Sequence, residues 1–236
     1  MLLGAANPKV LWYLTRGFGL VSLVLLSLTV ALGVAQLARY ARPGLPRFVI
    51  SGLHRNASLL AVGLLAVHIL TAVADPYAPI ALVDAVVPFI GRYRPLWLGF
   101  GALAFDLLVT LIVTSLIRQY LGHRAWRAVH WLAYGCWPVA LVHGLGTGSD
   151  ARIGWVQLLY LVCTALVVAA LAWRLTTRWT QAPSSYRLTA AASAAVLLLV
   201  VAVWAEQGPL RAGWARRAGT PPVSTSPAVG VTGSQR

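Results

Sequence analysis

The chain has 236 residues, of which 59% are hydrophobic and only 10% charged, and a net charge of +14. Soluble domains carry about 25% charged residues, so this composition excludes an ordinary soluble protein and points to a chain embedded in a lipid bilayer. Lys9 is the only lysine, and the arginines that make up the remaining positive charge cluster between apolar runs. That is the pattern of membrane-flanking charge and not of a nucleic-acid surface, so no nucleic-acid partner is expected.

Residues 1–16 read as a short N-terminal tail. The first apolar run, about Gly17–Leu37, is too long for the core of a signal peptide and has no obvious cleavage site, so it reads as a retained span. A basic loop with Pro43 and Pro46 follows. The second span, about Gly52–Ala74, stops at Asp75-Pro76, because proline lacks the N–H that a continuing helix needs. Residues 80–90 are too short to cross a bilayer and carry Asp84, which suggests an interfacial or re-entrant piece. Further spans are expected at about Leu96–Ile117, Ala128–Leu145, Ile153–Trp173 and Leu188–Trp204. The predicted fold is an all-α membrane bundle of six transmembrane helices, with a main domain over 17–175, an additional helix over 176–204 and a polar, disordered tail over 205–236.

Loop charge sets the expected orientation. The loops after spans one, three and five hold Arg39, Arg42, Arg47, Arg55, Arg118, Arg124, Arg127, Arg174, Arg178 and Arg187, and no acid. The loops after spans two and four hold Arg92, Arg94 and Arg152 with Asp75, Asp84 and Asp150. The positive-inside rule places the first set in the cytoplasm of a cell that holds this protein in its plasma or inner membrane, with both termini external. Lys9, Arg16, Arg211, Arg216 and Arg217 would then be external and argue against that placement. Cys136 and Cys163 fall inside apolar runs without metal-binding spacing and read as buried spectators.

Four of the five histidines carry the chemistry. His54 and His68 lie in the second span, and His130 and His143 in the fourth. Histidine in hydrocarbon is costly and tends to be functional, and imidazole is a good ligand for heme iron. At 1.5 Å rise per residue the members of each pair stand roughly 20 Å apart, one in each leaflet. One span separates the two segments, so they run in the same direction. This pairs His54 with His130 near the cytoplasm and His68 with His143 near the outside, and implies two heme b groups. Electron tunnelling falls steeply with distance, so two stacked hemes bridge a bilayer where one would not. Fourteen residues make nearly four full helical turns and keep His54 and His68 on one face. Thirteen residues leave His130 and His143 about 140° apart on an ideal helix; a kink at Gly135 or Pro138, or a tilt of the span, is expected to correct this.

The H-x13-H and H-x12-H spacing two spans apart, with the phrase RAWRAVHWLAYGCWPVALVHGLGTGSD, resembles the ferric reductase-like transmembrane domain in its stand-alone bacterial form. That superfamily takes in ferric reductases, NADPH oxidase membrane domains and the heme-binding membrane subunit of a methionine sulfoxide reductase system. The resemblance covers roughly residues 11–175. It implies a six-helix bundle with two bis-histidine hemes that passes electrons to an external acceptor: ferric ion, oxygen or a periplasmic partner protein. No flavin or nicotinamide motif follows the fifth span. Electrons would come from a separate donor, either a flavoprotein reductase or membrane quinol, so that flavin or quinone enters through a partner.

Heme propionates attract arginine. Arg55 and Arg127 are candidates at the inner heme, and Arg92 and Arg94 at the outer one; each serves equally well as topology charge. Asp106, the only acid inside a span, is open to a proton-path or quinone role and to a packing role. Gly63 would let a heme face approach, or would serve helix packing. A class of function outside redox chemistry also stands: a non-redox membrane protein, such as a histidine-lined metal-ion permease.

Overall fold

The computed structural model describes residues 8–37, 46–176 and 184–220. The expectations placed on Arg39, Arg42, Arg178, the side chains of Lys9, Arg47 and Arg187, residues 1–7, and the tail from 221 onward fall outside the described residues.

Every regular element described is helical. In chain order they are α1 (Pro8–Leu37), α2 (Arg47–Ala74), a 3₁₀ turn (Leu82–Ala85), α3 (Pro95–Leu116), α4 (Arg118–Leu121), α5 (His123–His130), α6 (Ala133–Thr147), α7 (Gly154–Thr176), α8 (Ser184–Gln207) and α9 (Trp214–Arg217). Four of them, within α1, α2, α3 and α7, are long and apolar enough to cross a membrane. The chain is a multi-pass membrane protein.

Several boundaries differ from the sequence reading. Residues 8–16, read as tail, form the first turns of α1. Residues 208–220, read as disordered, fold back and carry α9. The fourth span is two helices rather than one. α5 ends at His130 and α6 begins at Ala133, and α6 alone has 15 residues. At 1.5 Å per residue that is roughly 22 Å, short of the ≈ 30 Å hydrocarbon core. Residues 80–90 do not form a long helix; Asp84 Oδ2 accepts the Ala81 N–H there at 2.9 Å.

Local chemistry explains where the helices stop. The residue before proline is pushed out of the α region. Asp75, before Pro76, is accordingly extended at φ −77° and ψ 112°, and its carboxylate accepts the Tyr77 N–H at 3.0 Å. α3 starts with Pro95 at its first turn, where the missing N–H costs nothing.

α1 packs along α2 and also touches α6 and α7, while α6 packs on α3. The main core lies where α1, α6 and α7 meet: Leu23, Val30, Trp137, Leu141, Val156 and Tyr160 are buried together. A polar link runs through it. Trp137 Nε1 donates to Ser27 Oγ at 2.9 Å, and Ser27 donates to the Leu23 carbonyl at 2.7 Å. α2 is different: only 6% of its apolar window is buried against protein. Its partner along one flank is α1, and its two histidines face across toward α5 and α6.

Candidate functional site

The structure brings the four histidines together in two pairs. The rings of His54 on α2 and His130 on α5 have centres 6.5 Å apart. Those of His68 on α2 and His143 on α6 are 6.4 Å apart. A metal–nitrogen bond of roughly 2 Å sets a reference, since two imidazoles on opposite sides of one iron then have ring centres about 6.3 Å apart. Both pairs have the spacing that bis-histidine ligation of a heme requires.

Three of the four rings are held by backbone carbonyls. The Nδ1 of His54 meets the Thr29 carbonyl at 3.0 Å, that of His68 the Thr15 carbonyl at 2.7 Å, and that of His143 the Trp97 carbonyl at 2.9 Å. A carbonyl can only accept, so each Nδ1 carries the proton and each Nε2 keeps a lone pair for a metal. His130 is the exception: its Nδ1 is buried with no partner, and its ring stacks on Trp126 with centres 4.9 Å apart.

Glycines make room for the rings. A Cβ on Gly101 of α3 would fall 2.5 Å from His143, one on Gly19 of α1 3.0 Å from His68, and one on Gly33 of α1 3.4 Å from His54. Gly63 faces no protein atom within 4 Å. The sequence reading weighed the glycine between the ligands and passed over those on the facing helices. A signal was present, because Gly19 and Gly33 repeat the 14-residue step of His54 and His68 (33 − 19 = 68 − 54).

The 13-residue step from His130 to His143 is accommodated at Trp131–Gly135. There the N–H groups of Trp131, Leu132, Tyr134 and Gly135 bond carbonyls three residues back. Such 3₁₀ winding advances about 120° per residue instead of 100°. Over four residues it recovers roughly 80° of the 140° phase error. More than half of the correction thus comes from this turn, just ahead of Pro138, which sits inside α6.

A cavity opens around His68 and His143 and runs to the loop ends, lined among others by Arg16, Asp75, Tyr77, Asp84, Tyr93 and Asp150. Thr15 Oγ1 and Ser22 Oγ line it, buried and without a hydrogen-bond partner. Buried hydroxyls are normally satisfied, so this cavity offers unused polar groups to a ligand. Arg16 pairs with the Asp150 carboxylate and donates to Ser149 Oγ at 2.6 Å.

The four arginines singled out in the sequence fall in different settings. Arg55 and Arg127 are exposed at the His54/His130 end, and Arg92 is exposed at the other. Arg94 is 2% exposed, and its guanidinium is committed to the chain itself. It donates to the Thr220 hydroxyl at 2.8 Å, the Thr147 carbonyl at 2.8 Å and the Gly146 carbonyl at 3.2 Å. It thereby caps α6 and anchors the C-terminal segment. Arg16, which the sequence reading treated as tail charge, is the arginine that lines the cavity. Asp106 is half-buried on α3 and does not line it. Trp131 and Tyr134 lie beside Arg174, whose guanidinium sits 4.6 Å from the Trp131 ring centre and bonds the Tyr134 hydroxyl.

Fold and site together define a helical membrane bundle with two stacked histidine pairs. Residues 18–147 match the family described as the ferric reductase like transmembrane component, which is more than half of the chain. The chain belongs to that family, whose membrane domain indicates a role in electron transfer. No curated protein and no solved structure matches it significantly.

Proposed function

We propose that the chain is a transmembrane cytochrome b that holds two heme b groups in a six-span bundle and conducts electrons to an acceptor outside the cell membrane. In this reading α5 and α6 cross jointly as the fourth span and α8 as the sixth. His54 and His130 would be the axial ligands near the cytoplasm, and His68 and His143 those near the outer face. When bound, the hemes supply one-electron transfer across an insulating layer. The observation that carries the reading is the pair of ring separations, 6.5 and 6.4 Å, at two levels of one bundle.

The residues around the histidines have distinct tasks. The carbonyls of Thr15, Thr29 and Trp97 hold the tautomer that presents Nε2. The hydroxyls of Thr15 and Ser22 supply donors inside the outer cavity, and Arg16 supplies positive charge for a propionate there. Arg92 remains a candidate at that outer rim. Arg55 and Arg127 would serve the inner propionates.

The donor in this reading is a flavoprotein reductase or a quinol. The acceptor is ferric ion, oxygen or a periplasmic partner protein. A metal-ion permease is the competing reading. It is less well supported, because among the described residues no three His, Cys, Asp or Glu side chains gather at one point.

Single substitutions test the assignment. His68→Ala should leave about one heme per chain where the parent has two, and His54→Ala should remove the other one, as counted by pyridine hemochrome. Unchanged heme content in either variant would remove that histidine from the ligand set.

A further inference from the structure

Three of the four imidazoles are seated by one repeated device. In each case the carbonyl that meets Nδ1 belongs to the residue four positions before the facing glycine: Thr15 before Gly19, Thr29 before Gly33, and Trp97 before Gly101. In an α-helix the carbonyl of residue i accepts the N–H of residue i+4. Here that N–H is the glycine's own. The carbonyl's second lone pair stays open to an outside donor, and the absent Cβ lets a ring reach it.

The device is missing at the fourth position. Fourteen residues after Gly101, where α1 has its second glycine, α3 has Ser115 (101 + 14 = 115). Ser115 Oγ instead accepts Trp126 Nε1 at 3.3 Å, and Trp126 stacks on His130. The two rings are stacked at 29°, so the in-plane N–H of the imidazole does not point at the indole face, and the His130 Nδ1 is left buried and unpartnered.

We infer that the two heme sites are inequivalent by construction, with the His54/His130 site having the higher reduction potential. This rests on the heme-ligand reading above. A carbonyl on Nδ1–H raises the basicity of the ligating nitrogen and so favours ferric over ferrous iron, one of the levers by which a protein sets a heme potential. The His68/His143 site has two such ligands and the His54/His130 site one. The first electron therefore settles at the His54/His130 site. Gly19, Gly33, Gly101 and Ser115 are positioning residues: they act through the imidazoles they face.

The test is a spectroelectrochemical titration of the purified, heme-loaded full chain. Two one-electron waves are expected, separated by at least tenfold in equilibrium constant, or about 59 mV. The heme that remains in His143→Ala should titrate at the higher wave, and the one that remains in His54→Ala at the lower. Two substitutions that keep all four ligands give an independent check in case those variants lose both hemes. Ser115→Gly opens the fourth notch and should lower only the high wave. Gly101→Ala lifts His143 from the Trp97 carbonyl and should raise only the low wave. Two hemes with a single midpoint, the reverse order, or waves that neither substitution moves would overturn this inference and leave the ligand assignment standing. A chain with no bound heme would overturn both.

Discussion

The imidazoles, the carbonyls and the glycines form triplets, and the tightest is expected to be the most sensitive to substitution. At Gly101 a Cβ would stand 2.5 Å from both Cε1 and Nδ1 of His143, well inside any tolerable contact. Gly101→Ala is therefore expected to weaken heme retention at the His68/His143 site much more than Gly33→Ala does at its own. At Gly33 the nearest ring atom is 3.4 Å away, an ordinary contact. Heme loss to excess apomyoglobin, followed by absorbance, separates the two; equal loss rates would mean that ring access is not what these glycines provide. A second residue-scale prediction concerns Ser27, which is fully buried. Ser27→Ala leaves the Trp137 N–H without its acceptor, a loss of about 1–3 kcal/mol, measurable as a lower melting temperature in detergent. The histidines were legible in the sequence because imidazole in an apolar run is conspicuous and its 14-residue step has a direct helical meaning. The glycines were not, because their role depends on which helix lies opposite and small residues occur in membrane helices for packing alone. Arg94 was misleading for a related reason: its three side-chain bonds reach Gly146, Thr147 and Thr220, far away in the chain.

At the scale of elements, the break between α5 and α6 is the feature that sequence periodicity least anticipated. No glycine or proline stands at Trp131–Leu132, and the fourth span read as continuous. Its 13-residue spacing looked like a defect to be absorbed by a kink at Gly135 or Pro138, or by a tilt of the span, and the turn observed ends at Gly135. The tighter turn recovers more than half of the phase error. Inserting one alanine between Trp131 and Leu132 would restore the 14-residue count of α2 and rotate α5 by about 100° relative to α6. α6 is held by α1 and α3, so His130 is the ligand that moves. The expected result is loss of the His54/His130 heme with the other retained, read from heme stoichiometry. Two hemes in the insertion variant would show that the turn has no role in aligning the site. The long apolar helices were legible throughout. The C-terminal segment was not, since GPLRAGWARRAGT is polar and glycine-rich. It is ordered by long-range contacts: Arg94 N–H to the Gly219 carbonyl at 3.1 Å, Trp214 Nε1 to the Gly146 carbonyl at 2.9 Å, and Trp97 between Trp204 and Trp214. Arg94→Ala should free it, and limited proteolysis should then cut after residue 207 faster than in the parent.

Over the whole molecule, charge follows the bundle axis. Asp75, Asp84, Asp150 and Glu206 all lie at the His68/His143 end, mixed with Arg16, Arg92, Arg94, Arg152, Arg211, Arg216 and Arg217, whereas Arg55, Arg118, Arg124, Arg127 and Arg174 lie at the other without an acid beside them among the described residues. In the proposed orientation the cavity with Arg16 faces outward, where an acceptor would meet it. Cys136 and Cys163 are buried, so single introduced cysteines report topology against a quiet background. Tyr77→Cys should react with a membrane-impermeant maleimide in intact cells, and Tyr120→Cys only after permeabilisation. The opposite pattern would invert the direction of electron flow.

Two histidine pairs at two levels of the bundle call for two hemes. The most direct measurement is a dithionite-reduced minus oxidised visible spectrum of the purified, heme-supplied protein, with a pyridine hemochrome count on the same sample. A low-spin b-type spectrum with about two hemes per chain is the predicted result. Absence of bound heme would rule out the cytochrome reading, and the facing histidines would then need an explanation outside electron transfer.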